Sequence, residues 1–144
     1  MSKTTKIAFV LFFLTFLAVL AFGFAYLLMP TFMPYHRVAI GQEWSALAPE
    51  MRVLILGFMK LSAAGMLSTA VAGGMLLFIP FRRGENWARY ALLTIGLVEM
   101  LLAIYAVVLI QINTPASPPL SAVIAGVMVL LIAFALSHDL ARGK

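Results

Sequence analysis

The chain is 144 residues long, has no cysteine, and is 64% hydrophobic with only 10% charged residues; its mean hydropathy is +1.08. A soluble domain carries about 25% charged residues, so most of this chain is expected to be solvated by lipid. Disulfide frameworks, cysteine-ligated metals and thiol redox chemistry are excluded. The net charge of +5 is read as a topology signal with no nucleic-acid partner implied, because membrane proteins distribute lysine and arginine by side.

A hydrocarbon core of about 30 Å needs roughly 20 apolar residues in a helix. Four runs meet that need. The first covers 7–29, preceded by Lys3 and Lys6 and closed by Pro30 and Pro34, which cannot continue a helix. It is longer than the roughly 7–15 residue core of a cleavable signal, so it is read as a retained span. Residues 30–50 form the one long loop, rich in polar and aromatic groups: Tyr35, His36, Arg37, Gln42, Glu43 and Trp44. Loops of this length tend to be functional. The second span covers 51–79, opened by Pro49 and Glu50 and stopped by Pro80 and Gly84. The third covers 87–112, with Asn86 as the expected N-cap. After the turn-rich stretch 113–119, Ser117 is expected to cap a fourth span over 120–137.

Continuous apolar runs argue against a membrane barrel, whose strands alternate, and no internal repeat marks a transporter built by duplication. The expected fold is all-α: an integral membrane four-helix bundle forming a single domain over 1–144. Lys3, Lys6, Arg82, Arg83, Arg89, Arg142 and Lys144 fall on the side of the first residue, against Arg37 and Arg52 on the other. The positive-inside rule then places both termini in the cytoplasm.

Thirteen of the fifteen charges are explained by loops and span ends. Lys60 and Glu99 are not. Counting along the helices places Lys60 about 30 Å from the basic boundary and Glu99 about 18 Å from it, so a direct pair between them is disfavoured. Snorkelling of Lys60 to the outer headgroups is the expected role. Glu99 lies near mid-membrane, with Gly96 and Ala103 on its own helical face and Ser68 and Thr69 at similar depth on the second span. It either glues helices together, protonated or hydrogen-bonded, or serves as a proton or cation site with Lys60 or Tyr105 nearby. Gly65, Thr69 and Gly73 on the second span, Gly96 on the third, and Ala122 and Gly126 on the fourth are small residues of the kind that let membrane helices approach closely, within one bundle or between protomers.

In the loop, Arg37 suits a lipid phosphate and Trp44 the headgroup belt. A metal site on His36, Glu43 and Glu50 is not expected, because it would rest on one histidine with Pro49 interrupting any continuous helix. No catalytic set, phosphate loop or cofactor motif is found.

The residues Met33-Pro34-Tyr35-His36, Gly41, Trp44, Leu47, Pro49, Ile79-Pro80-Phe81-Arg82-Arg83-Gly84-Glu85 and Trp87-Ala88-Arg89 resemble small uncharacterised four-helix proteins of bacterial inner membranes. The resemblance implies a bacterial cytoplasmic membrane and carries over no functional residue. The resulting expectation is a non-enzymatic inner-membrane protein that binds a lipid or a partner protein through its bundle or its outer loop. The alternative is a small proton- or cation-coupled transporter, built as a homodimer and using Glu99.

Overall fold

Helices follow from the apolar runs, and their ends follow from proline, glycine and a few side-chain donors. The computed structural model describes residues 1–139, so Arg142 and Lys144 lie outside the described residues. Within them the chain is all-α, with no strand. Helix α1 (Lys3–Leu28) leads to a short α2 (Pro34–Ile40) and a 3-10 turn (Trp44–Ala46); α3 (Pro49–Leu76) runs into a π turn (Leu77–Phe81); α4 (Asn86–Asn113) and α5 (Leu120–Leu136) complete the order.

Three segments are long and apolar enough to cross a membrane: α1, α3 with its π turn, and α4, at 26, 33 and 28 residues. Helix α5 is apolar apart from Ser121 but has 17 residues, a rise of about 26 Å. Their outward faces are covered with large apolar side chains, among them Leu14, Phe22, Leu54, Phe58, Leu102, Ile124 and Leu131. Such a surface suits a lipid solvent.

The helices pack in the cyclic order α1, α3, α4, α5, with α5 returning to α1; α3 and α4 touch least. One end carries the loop between α1 and α3 and is called the loop end below. The opposite, basic end joins the start of α1, the α3–α4 turn and the close of α5. There Ser2 Oγ and Thr4 Oγ1 each donate to Asp139 Oδ2 at 2.6 Å. The main core also lies at that end, where Phe12, Phe16, Leu77, Phe81, Leu92 and Leu130 are buried together.

Close approach is bought by glycine at specific points. An added Cβ on Gly73 would stand 2.4 Å from the Phe16 ring, one on Gly96 2.8 Å from Leu130, and one on Gly126 2.8 Å from Met100 Sδ. Gly65 differs: nothing lies within 4 Å of it, and it is exposed. Of the two glycines in the row expected on α3, Gly73 therefore packs inside the chain and Gly65 does not.

Pro80 does not stop the second long helix as expected. Lacking an N–H for the carbonyl one turn back, it is accommodated in the π turn, which turns Leu77, Pro80 and Phe81 all inward. The stop comes at Gly84 (φ 80°), where Gly84 N donates to Phe81 O and Glu85 N to Pro80 O, both at 3.0 Å, the pattern of a Schellman close. The expected caps also shift. Asn86 is the first residue of α4 behind Glu85, and Pro119 precedes α5 in place of Ser117, neither flanking residue giving a side-chain cap.

Candidate functional site

Glu99 stands on the seam between α3 and α4, the loosest of the four between neighbouring helices. Its Oε2 accepts from Thr69 Oγ1 at 3.2 Å, and both residues are half-buried. Ser68, at the same depth, faces outward into a shallow open groove of about 430 Å³ with Leu67, Val71, Ala72 and Met75. Tyr105 is 67% exposed: six residues on from Glu99, it is rotated by about 240° around the helix. The structure thus brings Thr69 to Glu99 and leaves Ser68 and Tyr105 on other faces.

Lys60 finds its partners in the backbone of α1. Its Nζ donates to the carbonyls of Tyr26, Leu27 and Met29, at 3.3 Å for Tyr26 and 2.9 Å for Met29. These carbonyls close α1. Tyr26 O would ordinarily receive the N–H four residues on, but that residue is Pro30, which has none. A cation on α3 supplies the missing donor and also sits at the negative end of the α1 dipole. Lys60 therefore ties α3 to the end of α1, and Glu99 is bonded to Thr69 instead of to Lys60.

The loop shares a small core with the adjoining ends of α1 and α3. Phe32, Leu47 and Met59 are buried together, with Tyr26, Met29, Met33, Trp44, Ile55 and Leu56 packed around them. Trp44 meets Phe32 edge-on at 5.1 Å. Arg52 on α3 reaches back to pin the loop, with Nε donating to Leu47 O at 3.0 Å and an η nitrogen to Ser45 O at 2.6 Å. Helix α2 ends at Gly41 (φ 72°), whose N–H donates to Arg37 O at 2.9 Å. At its start, His36 Nδ1 accepts from Met33 N at 3.3 Å. Tyr26 and Tyr35 share a hydroxyl–hydroxyl hydrogen bond, and the His36 ring lies edge-on to both tyrosines. Burial, and next the Tyr26 hydroxyl, push the Tyr35 phenol far up, so it stays protonated; burial pushes the His36 imidazole down from 6.5.

Arg37 and Glu43 form an exposed ion pair at 3.3 Å, worth little in itself. With Val38, Ile40 and Gln42 they make up the outward surface of the loop. Among the described residues no three histidine or carboxylate side chains gather in a way that would hold a metal.

One residue escaped the sequence reading of function altogether. Arg89, counted there only as a topology charge, is 6% exposed. An η nitrogen donates to Ser137 O at 3.1 Å, and the guanidinium lies 4.2 Å from the Phe134 ring centre and 5.2 Å from that of Tyr90. Its Nε is buried without a partner. A signal existed: Arg89 is seven residues before Gly96, on the stripe that continues through Met100. It closes α5 at the basic end much as Lys60 closes α1 at the loop end.

Comparison with protein families, with curated proteins and with solved structures gives no match for this chain. Any functional reading therefore rests on the geometry alone.

Proposed function

We propose that the chain is a non-enzymatic protein of a bacterial inner membrane whose folded outer loop is a binding platform for a partner protein or lipid headgroups. The observation that carries this reading is the ordering of the loop against the ends of α1 and α3. Phe32 and Leu47 are buried there beside Met59, Arg52 pins the chain, and Arg37, Val38, Ile40, Gln42 and Glu43 still turn outward. A connection needed only to join two spans has no requirement for that ordering, which costs about 1–2 kcal/mol of backbone entropy per residue.

Four spans with both termini in the cytoplasm accompany this proposal. The start of α1 and the end of α5 are hydrogen-bonded to one another, which favours an even number of crossings. α5 is short, at about 26 Å, and such a deficit is accommodated by local thinning of the bilayer. The excess of lysine and arginine at the basic end supports placing that end inside.

The test is extraction in mild detergent followed by native mass spectrometry, with Val38→Asp and Ile40→Asp as the disrupting changes. A co-purifying species lost from these variants supports the platform. A chain that always runs alone, with neither lipid nor protein, counts against it.

A second reading, a dimeric proton- or cation-coupled transporter, is favoured by one observation: a half-buried carboxylate at the loosest helix seam. Glu99→Gln keeps an acceptor for Thr69 and removes the proton. Substrate-dependent proton release that survives this substitution removes the reading.

A further inference from the structure

At the basic end, the first turns of α1 and the π turn after α3 enclose an open groove of about 310 Å³ lined by Met1, Lys6, Phe9, Val10, Phe78 and Arg82. Its walls are apolar: Phe9 and Phe78 meet edge-on at 5.4 Å. Its rim is cationic. Lys6 is one turn nearer the membrane boundary than Phe9 and Val10 on α1, and Arg82 one turn nearer it than Phe78 on the antiparallel partner. Each helix therefore presents the same order, apolar surface at depth and a cation above it.

These cations are not neutralised from within. Among the described residues Lys3, Lys6, Arg82 and Arg83 make no ion pair or hydrogen bond through their side chains. The carboxylates of the same end are engaged elsewhere: Glu85 Oε2 accepts from Trp87 Nε1 at 2.6 Å, and Asp139 holds Ser2, Thr4 and His138.

We propose that this groove holds one anionic glycerophospholipid, its phosphate between Lys6 and Arg82 and an acyl chain along Phe9, Val10 and Phe78. The proposal rests on the membrane reading and on the basic end facing a leaflet, but not on the outer platform. A zwitterionic headgroup carries its own cation to a site that already has two, so the pocket selects lipids of the phosphatidylglycerol class. Free phosphate satisfies the rim but leaves the apolar walls open. Each basic side chain near a membrane surface contributes about fivefold in affinity, so removing both costs about 30-fold.

The experiment uses the purified full chain in mild detergent, titrated in native mass spectrometry with phosphatidylglycerol, phosphatidylcholine of the same acyl chains, and inorganic phosphate. The expected result is one tightly retained phosphatidylglycerol, several-fold weaker phosphatidylcholine and no retained phosphate. The exposed double variant Lys6→Gln/Arg82→Gln lowers phosphatidylglycerol retention about 30-fold, and Phe78→Ala weakens both lipids together. Equal retention of the two lipids, retention of inorganic phosphate as strong as that of phosphatidylglycerol, or a double variant that binds like the parent overturns the proposal. Failure of the outer platform is read separately, since Val38→Asp leaves this groove untouched.

Discussion

Replacing Gly73 by alanine tests the packing of α1 on α3 most directly. The new Cβ would stand 2.4 Å from Phe16 Cδ1 and 2.6 Å from Cε1 and Cγ, where carbon atoms settle at about 3.5–4.0 Å. The ring must retreat by about 1 Å, and it has little room, being 4% exposed and wedged among Phe12, Leu77 and Phe81. Overpacking of this kind costs about 1–3 kcal/mol. Gly65→Ala is the matched control: it lies on the same helix with nothing within 4 Å. Both variants share the helix-propensity gain of alanine over glycine, about 1 kcal/mol, so the difference between them isolates the displaced ring. Trp44 and Trp87 provide fluorescence for denaturant titrations in mixed micelles. Gly73→Ala should fall about 1–3 kcal/mol below Gly65→Ala, and Phe16→Leu in the Gly73→Ala background should recover part of the loss, a coupling a double-mutant cycle measures. Equal midpoints, or a greater loss at Gly65, would refute the assignment of Gly73 as the close contact and Gly65 as an open face.

Lys60→Met removes the donor to three carbonyls at the end of α1 and is expected to cost about 1–3 kcal/mol, with faster amide exchange over residues 24–29; unchanged exchange there removes the capping role. Arg89→Lys keeps the charge but loses the planar fork that both bonds Ser137 O and stacks on Phe134. A loss of about 1–2 kcal/mol is expected in the same titration, and a neutral result would mean that charge alone suffices. The start of α2 should respond to pH. His36 is held below its ordinary value of 6.5 by burial, so its contribution is complete above about pH 6.5 and is lost as pH falls through the lower folded value, when Nδ1 gains a proton and no longer accepts from Met33 N. Proton exchange of residues 33–41 followed by NMR between pH 7 and pH 4 should show this loop opening before the spans, and His36→Gln should flatten the response.

The long apolar helices were legible because lipid solvation leaves little choice: a run of some 20 apolar residues has one stable conformation in a bilayer. Their ends were less so. Pro80 reads as a stop, yet a π turn absorbs it and the glycine four residues later closes the helix. The two intramembrane charges were singled out, and Thr69 was placed at the depth of Glu99, but the partners of Lys60 were not legible, because they are backbone carbonyls. No composition rule points from Lys60 to the carbonyls before Pro30; the link requires knowing that the two are level across a helix pair. Arg89 was hidden for the opposite reason: it lies among other basic residues at a span end, where a topology signal is sufficient explanation.

The clasp between Ser2, Thr4 and Asp139 has a consequence in time. It joins residues 135 and 137 positions apart, so the α1–α5 seam cannot form before α5 has been made, while α1 can dock on α3 as soon as α3 has been made. Contacts of such sequence separation are slow to close, and until then the flank of α1 destined for α5 faces lipid or another protein.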